Sequence, residues 1–222
     1  MTPVRIILLC VLGVLAFAVQ SGTAMAQSSA PSKPMMTLQM PTLPGPVPVV
    51  LPIATTALFV SDMIDPTCKS QAKCTGKMVP AIAALIERAR NAGVYVVYST
   101  AAANKSKWLP EVAPASSDPF IESHGQDRFY DSDLDKTLKA KGIKTVILTG
   151  WKISGSVLYT SVGATLRGYT VVVPVDASLA ANDYEEAIGL YQILNQNAAN
   201  ATNEPLKERT STLSRTDMIS FK

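Results

Sequence analysis

The stretch Lys144–Ala177, KTVILTGWKISGSVLYTSVGATLRGYTVVVPVDA, decides the fold of this chain. Apolar and β-branched runs at 145–149 and 170–175 predict two strands, and the spacing of apolar residues over 155–167 predicts a helix between them. The turn before this helix is rich in glycine and serine and ends at Ser156. A helix start has unpaired backbone N–H groups and a positive dipole, so it suits an anion or a developing oxyanion.

The same alternation of strands and helices continues on both sides of this stretch. We expect further strands at 57–60 and 94–98, helices at 78–91, 131–141 and 183–196, a long loop over 100–126 and a possible edge strand at 218–221. Strands that alternate with helices predict the α/β class, with a mainly parallel sheet covered by helices on both faces. Ligands of such sheets bind at the carboxyl ends of the strands.

The N-terminus has the features of a secretory signal peptide over residues 1–26. Arg5 precedes an apolar run, and a small-residue cleavage site ends at Ala26. The alternative is an uncleaved anchor, although the run is short for a span of about 20 residues. Residues 27–54 are rich in proline and predict an extended linker or arm, and 55–222 form the globular domain. The mature protein is therefore expected in the periplasm or outside the cell, with no stable membrane span.

Cleavage lowers the formal charge from +3 to +2, and no basic run suggests nucleic acid binding. The mature chain keeps Cys68 and Cys74, and an even number of cysteines in an exported protein favours a disulfide. A metal site is not expected here, because the only histidine of the chain, His124, is distant in sequence.

Two polar residues are placed to meet at the carboxyl edge of the sheet. Asp62 follows the apolar strand at 57–60, and Ser156 follows the strand at 145–149. A carboxylate at the end of a buried strand needs a partner and is often functional. The alternatives are loop bonding for Asp62, helix capping for Ser156 and, less favoured, a triad with His124.

Other charged residues have simpler explanations. Asp176 follows the last well-defined strand and is expected to brace the next segment rather than to take part in catalysis. Asp127 and Arg128 are adjacent in a loop, where a surface ion pair is the simplest interpretation. Tyr159 and Thr160 are expected to be packing residues of their helix.

Three blocks carry a resemblance to a known family: TALFVSDMIDP, DSDLDKTLKAKGIKTVILTGW and SVLYTSVGATLRGYTVVVPVDA. Over about residues 55–196 the chain resembles the isochorismatase-like hydrolases, or cysteine hydrolases, which include nicotinamidases and N-carbamoylsarcosine amidase. The resemblance implies a three-layer α/β/α fold with a Rossmann-like sheet. It implies no cofactor and, since IDPTCKSQAKC lacks histidine, no metal.

The family's Asp-Lys-Cys triad is only partly retained in this chain. The resemblance places its aspartate at Asp62, its cysteine at Ser156 and its lysine at Ser123. It places the oxyanion-binding N–H groups at Ser156 and Lys152, after a peptide bond at Trp151–Lys152 that is often cis in the family. Serine is a much weaker nucleophile than cysteine without an adjacent base. Arg128 or Lys152 could supply the missing positive charge.

Isochorismatases of this family also lack the cysteine and use the aspartate for proton transfer to a vinyl ether, although they keep the lysine. Three functions follow for this chain. The first is an exported hydrolase of a small amide, ureido compound or vinyl ether, with Asp62 as acid or base and Ser156 at the nucleophile position. The second is a catalytically silent member that binds a small ligand or a partner protein. The third is a structural subunit of an envelope assembly. In each case we expect a homo-oligomer.

Overall fold

Strands and helices alternate along the chain, as the sequence predicts. The computed structural model describes residues 37, 39–40, 42–101, 107–196 and 198–222, and one unit extends from Met40 to Lys222. The strands are β1 Val49–Leu51, β2 Thr56–Ser61, β3 Tyr95–Ala101, β4 Phe120–Ser123, β5 Thr145–Gly150, β6 Thr170–Pro174, β7 Ser211–Ser214 and β8 Ile219–Phe221. The α-helices are α1 Asp65–Cys68, α2 Val79–Ala92, α3 Leu134–Ala140, α4 Leu158–Leu166 and α5 Asp183–Asn195.

A six-stranded sheet with the order β4-β3-β2-β5-β6-β7 forms the centre of the unit. Every neighbouring pair in this sheet is parallel. β1 and β8 form a separate two-stranded parallel sheet. The predicted α/β class is therefore confirmed.

Helices cover both faces of the central sheet, because successive side chains of each strand point to opposite sides. Leu58 and Val60 of β2 belong to one buried cluster, together with the apolar face of α2. Ala57 and Phe59, the alternate residues of β2, belong to the other cluster, which includes residues of α3, α4 and α5. A strand that is buried on both faces reads as a continuous apolar run, as β2 does.

Three strands were not predicted from the sequence. β4 lies within the segment 100–126 that was expected to be a loop, and β7 has the polar sequence STLS. β1 lies in the proline-rich segment 27–54, where Val49 and Leu51 are buried. These strands have only three or four residues, too few for a clear sequence pattern, so pairing with a neighbour rather than local sequence determines them.

A disulfide joins Cys68 at the end of α1 to Cys74 in the following π-helical turn, Cys74–Met78. Both cysteines are buried. The predicted leader, residues 1–26, lies outside the described residues. Among the residues that are described, no helix has the length and apolar character needed to span a membrane.

The chain changes direction across the sheet between β2 and β5, because β3 and β4 lie on one side of β2 and β5, β6 and β7 on the other. Such a switch point leaves a crevice at the carboxyl ends of the strands. Gly150 ends β5 opposite Ser61 of β2 with φ +128°, and a Cβ there would come within 1.9 Å of the Ser61 carbonyl oxygen. Glycine at position 150 therefore allows the two strand ends to approach closely.

Candidate active site

Asp62 lies directly after β2, at the switch point of the sheet. Its backbone has φ +56°, and its N–H group donates to the Ser99 carbonyl at 3.1 Å. The carboxylate is buried and accepts hydrogen bonds from Thr100 Oγ1 at 3.1 Å and Ser61 Oγ at 3.0 Å. Thr67 Oγ1 donates to the Asp62 carbonyl at 2.7 Å. The residue is thus fixed in both backbone and side chain.

Arg128 forms an ion pair with this carboxylate through Nη2. Its side chain is only 5% exposed, Nη1 donates to the Gly125 carbonyl at 2.9 Å, and Nε donates to Ser61 Oγ at 3.4 Å. A buried carboxylate without a partner would be strongly unfavourable, and this guanidinium balances its charge. Arg128 is thus the positive group beside Asp62, and it does not form a surface pair with Asp127.

Ser156 lies in the π-helical turn Ile153–Val157 that leads into α4. The peptide bond between Trp151 and Lys152 is cis, as the resemblance implies. The Ser156 hydroxyl is buried and donates to the Trp151 carbonyl at 3.0 Å. Its proton is therefore directed back into its own turn and not toward a base.

Lys152 begins this turn and has an acidic partner. Its Nζ lies 2.5 Å from Glu185 Oε2, which also accepts from Ser154 Oγ at 3.0 Å. The hydrogen bonds from Lys152 and Ser154 lower the pKa of Glu185 below its usual range. Glu185 stands in the first turn of α5, so α5 holds the turn that carries Ser156.

One cavity of about 210 Å³ unites the principal predicted residues. It is lined by Asp62, Thr67, Ala101, Gln126, Arg128, Trp151, Lys152, Gly155 and Ser156. The lining combines a carboxylate, two cations, two hydroxyls, a side-chain amide and an aromatic ring. The cavity can thus hold a small polar molecule against groups able to move a proton and to balance charge.

Ser123, at the family's lysine position, does not reach this cavity. It is fully buried, and its Oγ lies 3.3–3.4 Å from the carbonyl oxygens of Gly125, Asp127 and Tyr130. The Ser123 hydroxyl therefore bonds to the segment that follows β4 and is not part of the cavity lining.

Three other candidates from the sequence lie elsewhere. His124 is exposed and is not part of the cavity lining, which leaves no support for a triad with Ser156. Asp176 accepts from the N–H and Oγ1 of Thr216, at 2.9 and 2.7 Å, and so braces the C-terminal segment. Asp127 lies 3.7 Å from Arg167, and burial raises its pKa.

Six residues that line the cavity or bond to Asp62 were not among the predicted site residues: Ser61, Thr67, Thr100, Ala101, Gln126 and Trp151. Thr100 lies near the end of β3, next to β2 in the sheet, so the rule that ligands bind at strand ends could have identified it. The same rule applies to Ser61 and Ala101, which end their strands, and to Trp151, which follows β5. Thr67 and Gln126 lie in a short helix and a loop, for which the sequence offers no comparable signal. Within the described part of the chain, no group of three or more His, Cys, Asp and Glu side chains could hold a metal ion.

Comparisons with known proteins concern the family and the fold of this chain. Residues 56–204 match the family model of the Isochorismatase domain. The chain is 26% identical over 169 residues to an uncharacterized isochorismatase family protein, YaaI, of Bacillus subtilis, an alignment that covers 67% of this chain and 93% of that protein.

Two solved structures have a similar fold. The N-carbamoylsarcosine amidase of Thermoplasma acidophilum is 24% identical, with a TM-score of 0.61 and coverage of 73% of this chain and 97% of that one. The nicotinamidase of Staphylococcus aureus is 18% identical, with a TM-score of 0.60 and coverage of 66% and 97%.

Proposed function

The chain belongs to the Isochorismatase domain family of hydrolases, and we propose that it hydrolyses a small amide, ureido compound or vinyl ether at the Asp62 cavity. The observation that carries the proposal is the buried Asp62–Arg128 pair in one cavity with Ser156. Buried ionisable groups that face a cavity are commonly functional.

In this proposal Asp62 is the residue that transfers the proton. For an amide or ureido substrate, Asp62 accepts a proton from the attacking water and returns it to the leaving nitrogen. Each Asp62 oxygen already accepts a hydrogen bond, yet a carboxylate has about four acceptor positions, so room remains for a water. The backbone N–H groups of Lys152 and Ser156 are proposed to bind the oxyanion.

Arg128 takes the place of the family's lysine as the positive partner of Asp62. Its contacts to Asp62, Ser61 and Gly125 use three of its five N–H groups. The cavity of about 210 Å³ is smaller than the roughly 300–1,000 Å³ of pockets for drug-sized ligands, which favours a compact substrate.

Turnover by the mature protein tests this proposal. We expect the protein comprising 27–222 to hydrolyse one member of a panel of amides, ureido acids and isochorismate. The variant Asp62→Asn should lower kcat/KM by at least about 100-fold, since it cannot accept the proton. Asp65→Asn is the matched control, because Asp65 pairs with Lys69 outside this cavity. Full activity in Asp62→Asn would overturn the proposal.

A specific observation also supports a second function, that of a silent member that binds a small ligand. The Ser156 proton is donated to the Trp151 carbonyl, and the Asp62 carboxylate is held by three donors. Binding of a panel compound, measured by calorimetry without any turnover in the wild type, would support this function and exclude the first.

We also propose that the mature protein is exported and self-associates. The leader over 1–26 supports export, and mass spectrometry of secreted protein should give an N-terminus at Gln27.

Exposed apolar side chains on α4 and α5 support association: Tyr159, Leu166, Tyr184 and Tyr191. A monomer mass by light scattering at micromolar concentration would exclude the oligomer.

A further inference from the structure

Arg128 reaches Asp62 from a segment without regular secondary structure. Residues 124–133 connect β4 to α3 and contain neither helix nor strand. Backbone hydrogen bonds of a helix or sheet therefore do not fix the position of Arg128, although its guanidinium must meet a buried carboxylate. Other contacts must hold this segment: Ser123 of β4 lies within hydrogen-bond distance of three of its carbonyl oxygens, and further contacts come from α4.

Thr160 makes the central contact. It lies four residues after Ser156, and therefore about one helical turn further along the same run, with 1% of its surface exposed. Its Oγ1 accepts a hydrogen bond from the Arg128 N–H at 3.1 Å and donates one to the Gln126 carbonyl at 3.3 Å. The Thr160 hydroxyl thus bonds to both neighbours of Asp127, namely to the Gln126 carbonyl before it and to the Arg128 N–H after it.

Gly163 on the same helix leaves room for Asp127, the residue between Gln126 and Arg128. A Cβ at Gly163 would lie 2.4 Å from Asp127 Oδ1, so no larger residue fits there without displacing Asp127. The Asp127 carboxylate accepts from the Phe129 N–H at 2.9 Å and lies 3.7 Å from Arg167. The segment is therefore fixed on both sides of Arg128 by groups that face α4.

We propose that Thr160 is a positioning residue that holds Arg128 against Asp62. This inference rests on the proposed function for its relevance to catalysis, but its structural content does not depend on turnover. Helix α4 begins just after Ser156, and the same helix binds the Arg128 segment. Helix α4 thereby fixes the position of the Arg128 guanidinium relative to the Ser156 turn across the cavity.

The test follows the Arg128 Nε–H proton by NMR in protein labelled with ¹⁵N. The signal is assigned by its disappearance in Arg128→Lys, and its exchange with water is measured at neutral pH. In Thr160→Val the side chain keeps nearly the same shape but cannot bond to residues 126 and 128. We expect the Nε–H exchange rate to rise about tenfold or more, because the Arg128 backbone N–H loses its acceptor, Thr160 Oγ1, and the loosened segment no longer holds Nε–H steadily against Ser61 Oγ.

Two further variants make the test specific. Thr160→Ser keeps the hydroxyl and should restore slow exchange. Ser161→Ala is the matched control on the same helix, because Ser161 is equally buried and its Oγ has no hydrogen-bond partner among the described residues. It should leave the Arg128 signal unchanged.

Unchanged exchange in Thr160→Val, or equal acceleration in Ser161→Ala, would overturn the inference. If Thr160→Val fails to fold, Gly163→Ala gives an independent test, since its methyl group displaces Asp127 and should accelerate the same exchange. Should no substrate be found for the wild type, the proposed function would fail while this exchange measurement would still decide the role of Thr160.

Discussion

At the scale of single residues, the chemistry of the site depends on the hydrogen bonds that Ser156 and Asp62 already make. The Ser156 hydroxyl donates its proton to the Trp151 carbonyl, and the Asp62 carboxylate is surrounded by donors. Proton transfer is therefore proposed for Asp62 and not for Ser156. Position 156 would suit the thiolate of a cysteine, because it lies at the start of a helix and lines the same cavity as Arg128.

The first prediction concerns Ser156→Cys. The variant is made in protein comprising residues 27–222, whose two native cysteines, Cys68 and Cys74, are bonded to each other. We expect iodoacetamide labelling to show a thiol pKa below the ordinary value of about 8.5, because Arg128 and the helix start favour the thiolate. Ser154→Cys is the control, since Ser154 bonds to the acidic Glu185. A thiol pKa at or above about 8.5 in Ser156→Cys would contradict the expectation that Arg128 and the helix start favour the thiolate.

At the scale of secondary-structure elements, the first turn of α5 connects the turn that carries Ser156 to the loop closed by the disulfide. Glu185 bonds to Lys152 in the turn before Ser156. Glu186 and Asp183 bond to Lys73, at 2.8 and 2.6 Å, within the loop closed by the disulfide. The acidic start of this helix therefore helps to fix the turn that lines the cavity with Lys152 and Ser156.

The second prediction follows from the lowered pKa of Glu185. A carboxyl group with a lowered pKa in the folded state contributes stability above its unfolded pKa and loses it as the pH falls through the folded value. Glu185→Gln should therefore lower the urea midpoint at pH 7, and the difference from the wild type should shrink toward about pH 3. Glu87→Gln, at an exposed position of α2, should show no such trend. A difference independent of pH would contradict the assigned ion pair.

The elements also show what the sequence could predict. The apolar runs of β2, β5 and β6 and the periodicity of α2 gave correct strands and helices, because burial on both faces leaves a strong pattern. Asp62 and Ser156 could be placed near one rim for the same reason, whereas Lys152 was expected there only from the resemblance and Arg128 only as a possible source of the missing positive charge. Strand β4, the bonding of Ser123 within its loop and the role of Thr160 depend on long-range contacts that leave no local pattern.

At the scale of the whole molecule, the segment before the central sheet is part of the folded unit. β1 pairs with β8 near the C-terminus, and the Val47 N–H donates to the Leu213 carbonyl of the edge strand β7 at 3.0 Å. The side chain of Asn203 bonds to the Gly45 carbonyl at 3.0 Å. The two ends of the described unit are thus joined, and the edge of the central sheet is partly covered.

The third prediction compares two neighbouring valines of β1. Val49 is 3% exposed and Val50 is 48% exposed. We expect Val49→Ala to lower the free energy of unfolding by about 2 kcal/mol through lost burial and a small cavity. Val50→Ala should change it by less than about 0.5 kcal/mol. Equal, small effects in urea denaturation would show that β1 adds no stability.

The most direct test measures how kcat/KM depends on the positive charge of Arg128 beside Asp62. With the substrate identified by the panel, we predict that Arg128→Met lowers kcat/KM by at least about 100-fold and that Arg128→Lys retains part of the activity. Arg90→Met is the matched control, because Arg90 also pairs with an aspartate, Asp118, but lines a different cavity. A kcat/KM within about twofold of the wild type in folded Arg128→Met would contradict a reacting centre built on the Asp62–Arg128 pair.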